Sequence, residues 1–115
     1  MSSDELELVQ GTLDLLVLRA LSTEPMHGYN ILDWLRRASG AALRIEDAAL
    51  YPALHRMEAR DFIRSEWGVS ENGRRAKYYE LTGKGRRRLT SETRTWERYA
   101  AVMARVLGAG DGGAL

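Results

Sequence analysis

Few side chains in this 115-residue sequence could do chemistry, and their spacing argues against catalysis. The two histidines, His27 and His55, stand far apart, and neither has a second histidine or acids at metal-ligand spacing. Cysteine is absent, which removes disulfides, thiolate metal sites and cysteine nucleophiles and fits a reducing cytosol. No nucleophilic triad is visible. Gly83-Lys84-Gly85 lacks the remaining residues and the strand-loop-helix setting of a phosphate-binding loop, so its glycines suit a join between two elements better. The sequence therefore predicts no enzyme, no cofactor and no metal.

Charge is the more informative chemistry. The net value of +1 hides an asymmetry, because residues 1–8 carry three acids and no base while residues 64–88 carry a local excess of +5. That excess comes from Arg64, Arg74, Arg75, Lys77, Lys84, Arg86, Arg87 and Arg88 against Glu66, Glu71 and Glu80. A short segment with this surplus fits local contact with a polyanion better than a uniformly basic surface does.

Elements must position these cations, and periodicity places them. Ser2 and Glu5 have capping-box spacing, and Leu13, Leu16, Val17, Ala20 and Leu21 recur as one face of a first helix ending near Leu21, before Pro25. A second helix starts around His27, presents Ile31, Leu32 and Leu35, and stops at Gly40. The third begins at Glu46-Asp47, buries Leu50, Leu54 and Met57, holds Pro52 in or just after its first turn, and ends near Asp61. The period then changes to two. Ile63, Ser65 and Trp67 alternate with Arg64 and Glu66, Asn72-Gly73 marks a turn whose residues both accept positive φ, and Lys77–Thr82 alternates again with Tyr79 and Leu81 on one face. Thr82 caps a last helix of about 25 residues, roughly 38 Å long, on which Leu89, Thr93, Trp96, Ala100, Met103 and Leu107 form a heptad seam.

The resulting fold class is mainly α (α+β): a winged helix-turn-helix of three core helices, a two-stranded wing and a long C-terminal dimerisation helix. Residues 1–82 form the winged domain, 83–108 the dimerisation helix and 109–115 a disordered Gly/Ala-rich tail. The last helix is longer than one small domain can cover, so a second copy is the expected partner for its seam, through Leu89, Trp96, Ala100, Met103 and Leu107. No apolar run approaches bilayer length and the N-terminus is acidic where a signal peptide is basic, so the expected location is the cytoplasm, without membrane contact.

With these residues in place, the sequence resembles the PadR family of bacterial transcriptional regulators over nearly its whole length. His27-Gly28-Tyr29-Asn30-Ile31 is similar to the family's segment opening the second helix, and Leu50-Tyr51-Pro52-Ala53-Leu54-His55-Arg56-Met57-Glu58 to its recognition-helix signature. Lys77-Tyr78-Tyr79-Glu80-Leu81-Thr82 with Gly85 resembles the returning wing strand and the start of the last helix. The short C-terminus resembles the subgroup with one dimerising helix. Ala48-Ala49 departs from a common Gly-Thr or Gly-Ser pair, removing a hydroxyl contact at the start of the recognition helix. Met57 for Leu conserves volume, and Asp61 for Gly tolerates a left-handed backbone.

The resemblance implies binding of double-stranded DNA. Tyr51 and His55 point toward a major groove, with His27 and Tyr29 beside them and Arg56 directed either to DNA or to a neighbouring acid. Arg74, Arg75 and Lys77 lie on a wing that tracks phosphates or reads minor-groove width. Lys84, Arg86, Arg87 and Arg88 oppose the dipole of the last helix and need phosphate or solvent to compensate. Trp96, Tyr99 and Met103 either pack the interface or, as in some short relatives, contact a planar hydrophobic effector, whereas Trp34 and Trp67 are expected to be structural. The functional expectation is a homodimeric repressor under possible effector control; the alternative is a winged-helix protein-interaction module that does not read DNA.

Overall fold

The computed structural model describes residues 5–109. The element order is β1 (Leu6–Glu7), α1 (Thr12–Leu21), β2 (Met26–His27), α2 (Gly28–Ala38), β3 (Leu43–Arg44), α3 (Asp47–Ala59), β4 (Ile63–Val69), β5 (Arg75–Leu81) and α4 (Gly83–Ala109). This is a mixed α+β winged helix. Val17, Leu18 and Leu21 of α1, Ile31 and Leu35 of α2, and Leu50, Leu54 and Met57 of α3 form one core, closed on the sheet side by Ile63, Tyr79 and Leu81. Trp34 packs against that core, as a structural tryptophan should.

The N-terminal cap is corrected. Ser2 lies outside the described residues, and Glu5 does not start a helix, because Leu6–Glu7 runs parallel to Leu43–Arg44. Helix α1 begins only at Thr12, after Gly11 at φ 90°, a left-handed conformation that glycine adopts without a Cβ penalty. Its cap is a local turn in which the Thr12 hydroxyl donates to the Val9 carbonyl at 2.6 Å.

The sheet has three strands rather than two, in the order β2-β5-β4. Met26 pairs with Tyr79 and His27 with Tyr78, so the segment after Pro25 is a strand before it becomes a helix. On the other side of β5, Ile63 faces Leu81, Ser65 faces Tyr79 and Trp67 faces Lys77. The hairpin turn also differs from expectation. Gly73 has φ 77° while Asn72 does not enter the left-handed region, and loop 70–74 closes through Ser70 N to Arg74 O at 2.7 Å and Gly73 N to Ser70 O at 2.8 Å.

Two further details refine the helices. Pro52 is the sixth residue of α3, past the first turn, and removes the N–H that would bond the Ala48 carbonyl; both residues are exposed, so water can satisfy that oxygen. Asp61 ends the helix with φ 63°, a left-handed conformation that its short polar side chain tolerates.

Thr82 caps α4 by accepting from Gly85 N at 3.0 Å while its hydroxyl donates to Asp61 O at 2.5 Å, joining wing and last helix to the end of α3. The first turns of α4 contain no acid. Only part of their positive charge finds partners within the chain: the Lys84 and Arg88 cations each stand 5.3 Å from the Phe62 ring centroid and Arg88 pairs with Glu92 at 3.3 Å, while Arg86 and Arg87 have no carboxylate at ion-pair distance among the described residues. Leu89, expected in the intermolecular seam, is half-buried against the core of its own fold. Beyond it Trp96, Tyr99, Val102, Met103, Val106 and Leu107 stand exposed. Of the expected tail, Ala109 is the last residue of α4 and residues 110–115 lie outside the described ones.

Candidate nucleic-acid interface

The interface is built around the N-terminus of α2. His27 is its cap: the Asn30 N–H donates to His27 Nδ1 at 3.3 Å, leaving Nε2 to face Glu71 Oε1 at 3.6 Å across the gap to the wing tip. The imidazole edge also meets the Tyr78 ring, with centroids 5.3 Å apart. His27 is thus committed to holding α2 and the wing together. Glu71 carries the consequence: a backbone N–H, and then the His27 ring, hold its carboxyl below the usual carboxylate range.

Gly28 is buried, and a Cβ there would run into the Tyr51 ring. Glycine lets Tyr51, from the second turn of α3, lie across the start of α2 with half of its surface still open. Tyr29 stands beside it, 68% exposed. Below them Tyr79 closes the core. Burial pushes its hydroxyl pKa up, aided by the nearby Glu58 carboxylate, so it stays a neutral phenol.

The wing supplies the charge. Arg75, Lys77 and Trp67 share the strand face that continues outward from Ile63 and Tyr79, so they face the same cleft as Tyr29 and Tyr51. Arg74 and Arg75 line a second cleft with His27, Tyr29, Asn30 and Glu71. Among the described residues, Arg74, Arg75 and Lys77 have no carboxylate at ion-pair distance. Arg64, on the opposite strand face, is held by Glu80 at 2.7 Å. The hairpin thus neutralises its outer face and leaves its inner face cationic.

Of the expected DNA contacts, His27, Tyr29, Tyr51, Arg74, Arg75 and Lys77 come together here. His55 is exposed one turn further along α3, outside both clefts. Arg56 takes the second course open to it: it turns to α1 and binds Asp14 Oδ1 at 2.8 Å, about 140° round the helix from Tyr51. Sequence reasoning missed Trp67. It is 55% exposed and not a core residue, and the Arg75 guanidinium lies 4.3 Å from its ring centroid with Lys77 Nζ at 6.0 Å. Strand alternation put it on the core-facing side, and only its pairing with Lys77 tells that the core has ended there.

The second expected site surrounds Trp96. Its ring borders two adjoining clefts, one lined by Leu6, Leu8, Leu16 and Leu43 and the other by Gln10, Glu92 and Tyr99. The Trp96 and Tyr99 ring centroids are 6.1 Å apart. Met103 lines neither cleft, standing two turns further along the exposed stripe. Among the described residues no group of three or more His, Cys, Asp or Glu could hold a metal, and no helix is long and apolar enough to cross a membrane.

Comparison with known proteins agrees with this architecture. The transcriptional regulator Rv3488 of Mycobacterium tuberculosis is 33% identical over 82% of this chain and 84% of its own. A PadR family transcription regulator from Clostridium difficile superposes with a TM-score of 0.75 at 31% identity, covering 85% of this chain and all of that one. A transcriptional regulator from Clostridium thermocellum gives 0.76 at 27% identity, over 84% and 93% of the two chains. Residues 17–91 match the family described as Transcriptional regulator PadR-like family, from the second half of α1 through α2, α3 and the wing to the start of α4. The chain therefore belongs to the PadR-like family of transcriptional regulators, a family of DNA-binding regulators rather than enzymes.

Proposed function

We propose that the chain is a cytoplasmic, homodimeric repressor that reads DNA with α3 and grips the flanking backbone with its wing. The observation that carries this is the convergence of three cations without a carboxylate partner among the described residues, Arg74, Arg75 and Lys77, on the side of the fold where Tyr29 and Tyr51 are exposed. Helix α3 itself runs from Asp47 to Arg56 and Glu58 with nearly balanced charge, so general attraction falls to the wing and site choice to Tyr51, His55 and their neighbours. Repression then follows from occlusion of the promoter.

Retention of genomic DNA fragments at several salt concentrations tests this reading. Specific retention with a steep salt slope is expected, and its absence would favour a protein-interaction module. Replacing Arg74 and Arg75 by alanine is expected to weaken binding to every fragment and to lower the salt slope by about 0.9 for each phosphate that is no longer neutralised. Replacing His55 is expected to change which fragments are preferred.

The unpartnered stripe of α4 supports dimerisation through Trp96, Ala100, Met103 and Leu107, with 1–82 as the reading head and 83–108 as the joining helix. The apolar clefts flanking Trp96 support effector control: a planar hydrophobic compound seated against Trp96 and Tyr99 would change the spacing of the two reading heads. Tryptophan fluorescence and DNA affinity should then respond together in a screen of planar aromatics. If neither moves, effector control at this place is wrong and the DNA-binding reading stands.

A further inference from the structure

A half-exposed tryptophan on a small wing needs an explanation, since its ring contributes little to the core. Trp67 lies directly across from Lys77 in the β4-β5 ladder, with Arg75 one same-face position further on. The Arg75 guanidinium sits 4.3 Å from the centre of its ring, within the range of a cation–π contact, and Lys77 Nζ lies at 6.0 Å, the edge of that range. Arg75 has no carboxylate to fix it among the described residues, so the indole ring is what anchors it. An unanchored arginine keeps many rotamers and gives up that freedom when a phosphate finally holds it. Stacked on an indole, it has lost part of that freedom in advance, and its charge is kept over the cleft that Tyr29 and Tyr51 share.

We propose that Trp67 is a positioning residue for DNA binding, a flat platform that presents the Arg75 guanidinium to the DNA backbone. This rests on the reading of the wing as the phosphate-gripping element. Loss of the aromatic face should then weaken DNA binding only while Arg75 is present.

The test uses the full chain and a genomic fragment that the wild-type protein retains, with the variants Trp67→Leu, Trp67→Phe, Arg75→Ala and Trp67→Leu/Arg75→Ala. Thermal melting of each variant confirms the fold, which an exposed position should leave intact. Trp67→Leu should raise Kd about three- to fivefold per wing, part of the cost of ordering one long side chain on binding, and Trp67→Phe should restore most of it. In the Arg75→Ala background the same leucine should change Kd less than about 1.5-fold, because no cation is left to orient. The salt slope should fall by about 0.9 per wing with Arg75→Ala, one phosphate fewer being neutralised by each, and stay unchanged with Trp67→Leu, which removes no charge. Equal costs of Trp67→Leu in both backgrounds, no cost in either, or a phenylalanine as poor as leucine would each overturn the proposal while DNA binding itself stands. Failure of the wild-type chain to retain any fragment would instead sink the underlying reading, and this one with it.

Discussion

Two glycines set tolerances that the interface depends on, and they fail in different ways. At Gly28 a Cβ would meet the Tyr51 ring, which is open to solvent on its other side and can swing away. Gly28→Ala should therefore cost less than about 1 kcal/mol of stability yet displace Tyr51 and weaken DNA binding, so calorimetry and fragment retention should disagree for this variant. At Gly85 the added carbon would strike the Phe62 carbonyl, which is backbone and cannot move aside. Gly85→Ala should cost about 2–3 kcal/mol and lower Tm by on the order of 10 °C, with the two methods agreeing. The sequence places both glycines at joins but does not show what lies against them, since Tyr51 and Phe62 approach them only through the tertiary fold. Thr82 and Asp61 were legible because their roles are local: a cap, and one left-handed residue. Trp67 was not, because alternation assigns a face without saying where along the strand the core stops.

Among the elements, those with several turns or alternations were readable and the two-residue strands were not. Helix α2 starts and stops close to where His27 and Gly40 place it, and β4 and β5 bracket Asn72-Gly73 as expected. Leu6–Glu7, Met26–His27 and Leu43–Arg44 are too short to show a period, and they exist because a partner edge offers them hydrogen bonds. The β2 strand matters most, since it brings His27 against the wing. The tie between them is visible in Glu71, whose carboxyl pKa is lowered first by a backbone N–H and next by His27. A lowered folded-state value means that its stabilising contribution is present above the ordinary carboxylate pKa of 4.5 and is lost as pH falls through the lowered value. His27→Asn keeps a side chain able to cap α2 and removes the imidazole. The Glu71 midpoint, followed by carboxyl NMR, should then rise toward the ordinary value without reaching it, because the backbone N–H remains.

For the molecule as a whole, shape carries the argument. Its radius of gyration is 16.6 Å, against about 13 Å for a compact chain of this length, and its extents are 58 × 37 × 21 Å. The difference is α4, whose 27 residues run about 40 Å: Leu89 rests on the core and Trp96 and Tyr99 border the clefts beside α1, while Val102, Met103, Val106 and Leu107 beyond them are exposed. Leu107 is 72% exposed at the far end, an arrangement that leaves an apolar stripe in water unless a second copy covers it. Met103→Glu/Leu107→Glu touches no residue of the core, so the winged domain should keep its Tm contribution while light scattering falls from a dimer mass to a monomer mass. DNA binding should suffer more than either residue's distance from the wing suggests. A dimer delivers its second reading head at a high effective concentration, and separate heads should bind a two-half-site fragment at least about 100-fold more weakly. A double variant that stays dimeric would place the joining surface elsewhere in the fold, and a monomer that keeps full affinity would show that DNA binding does not need the second reading head.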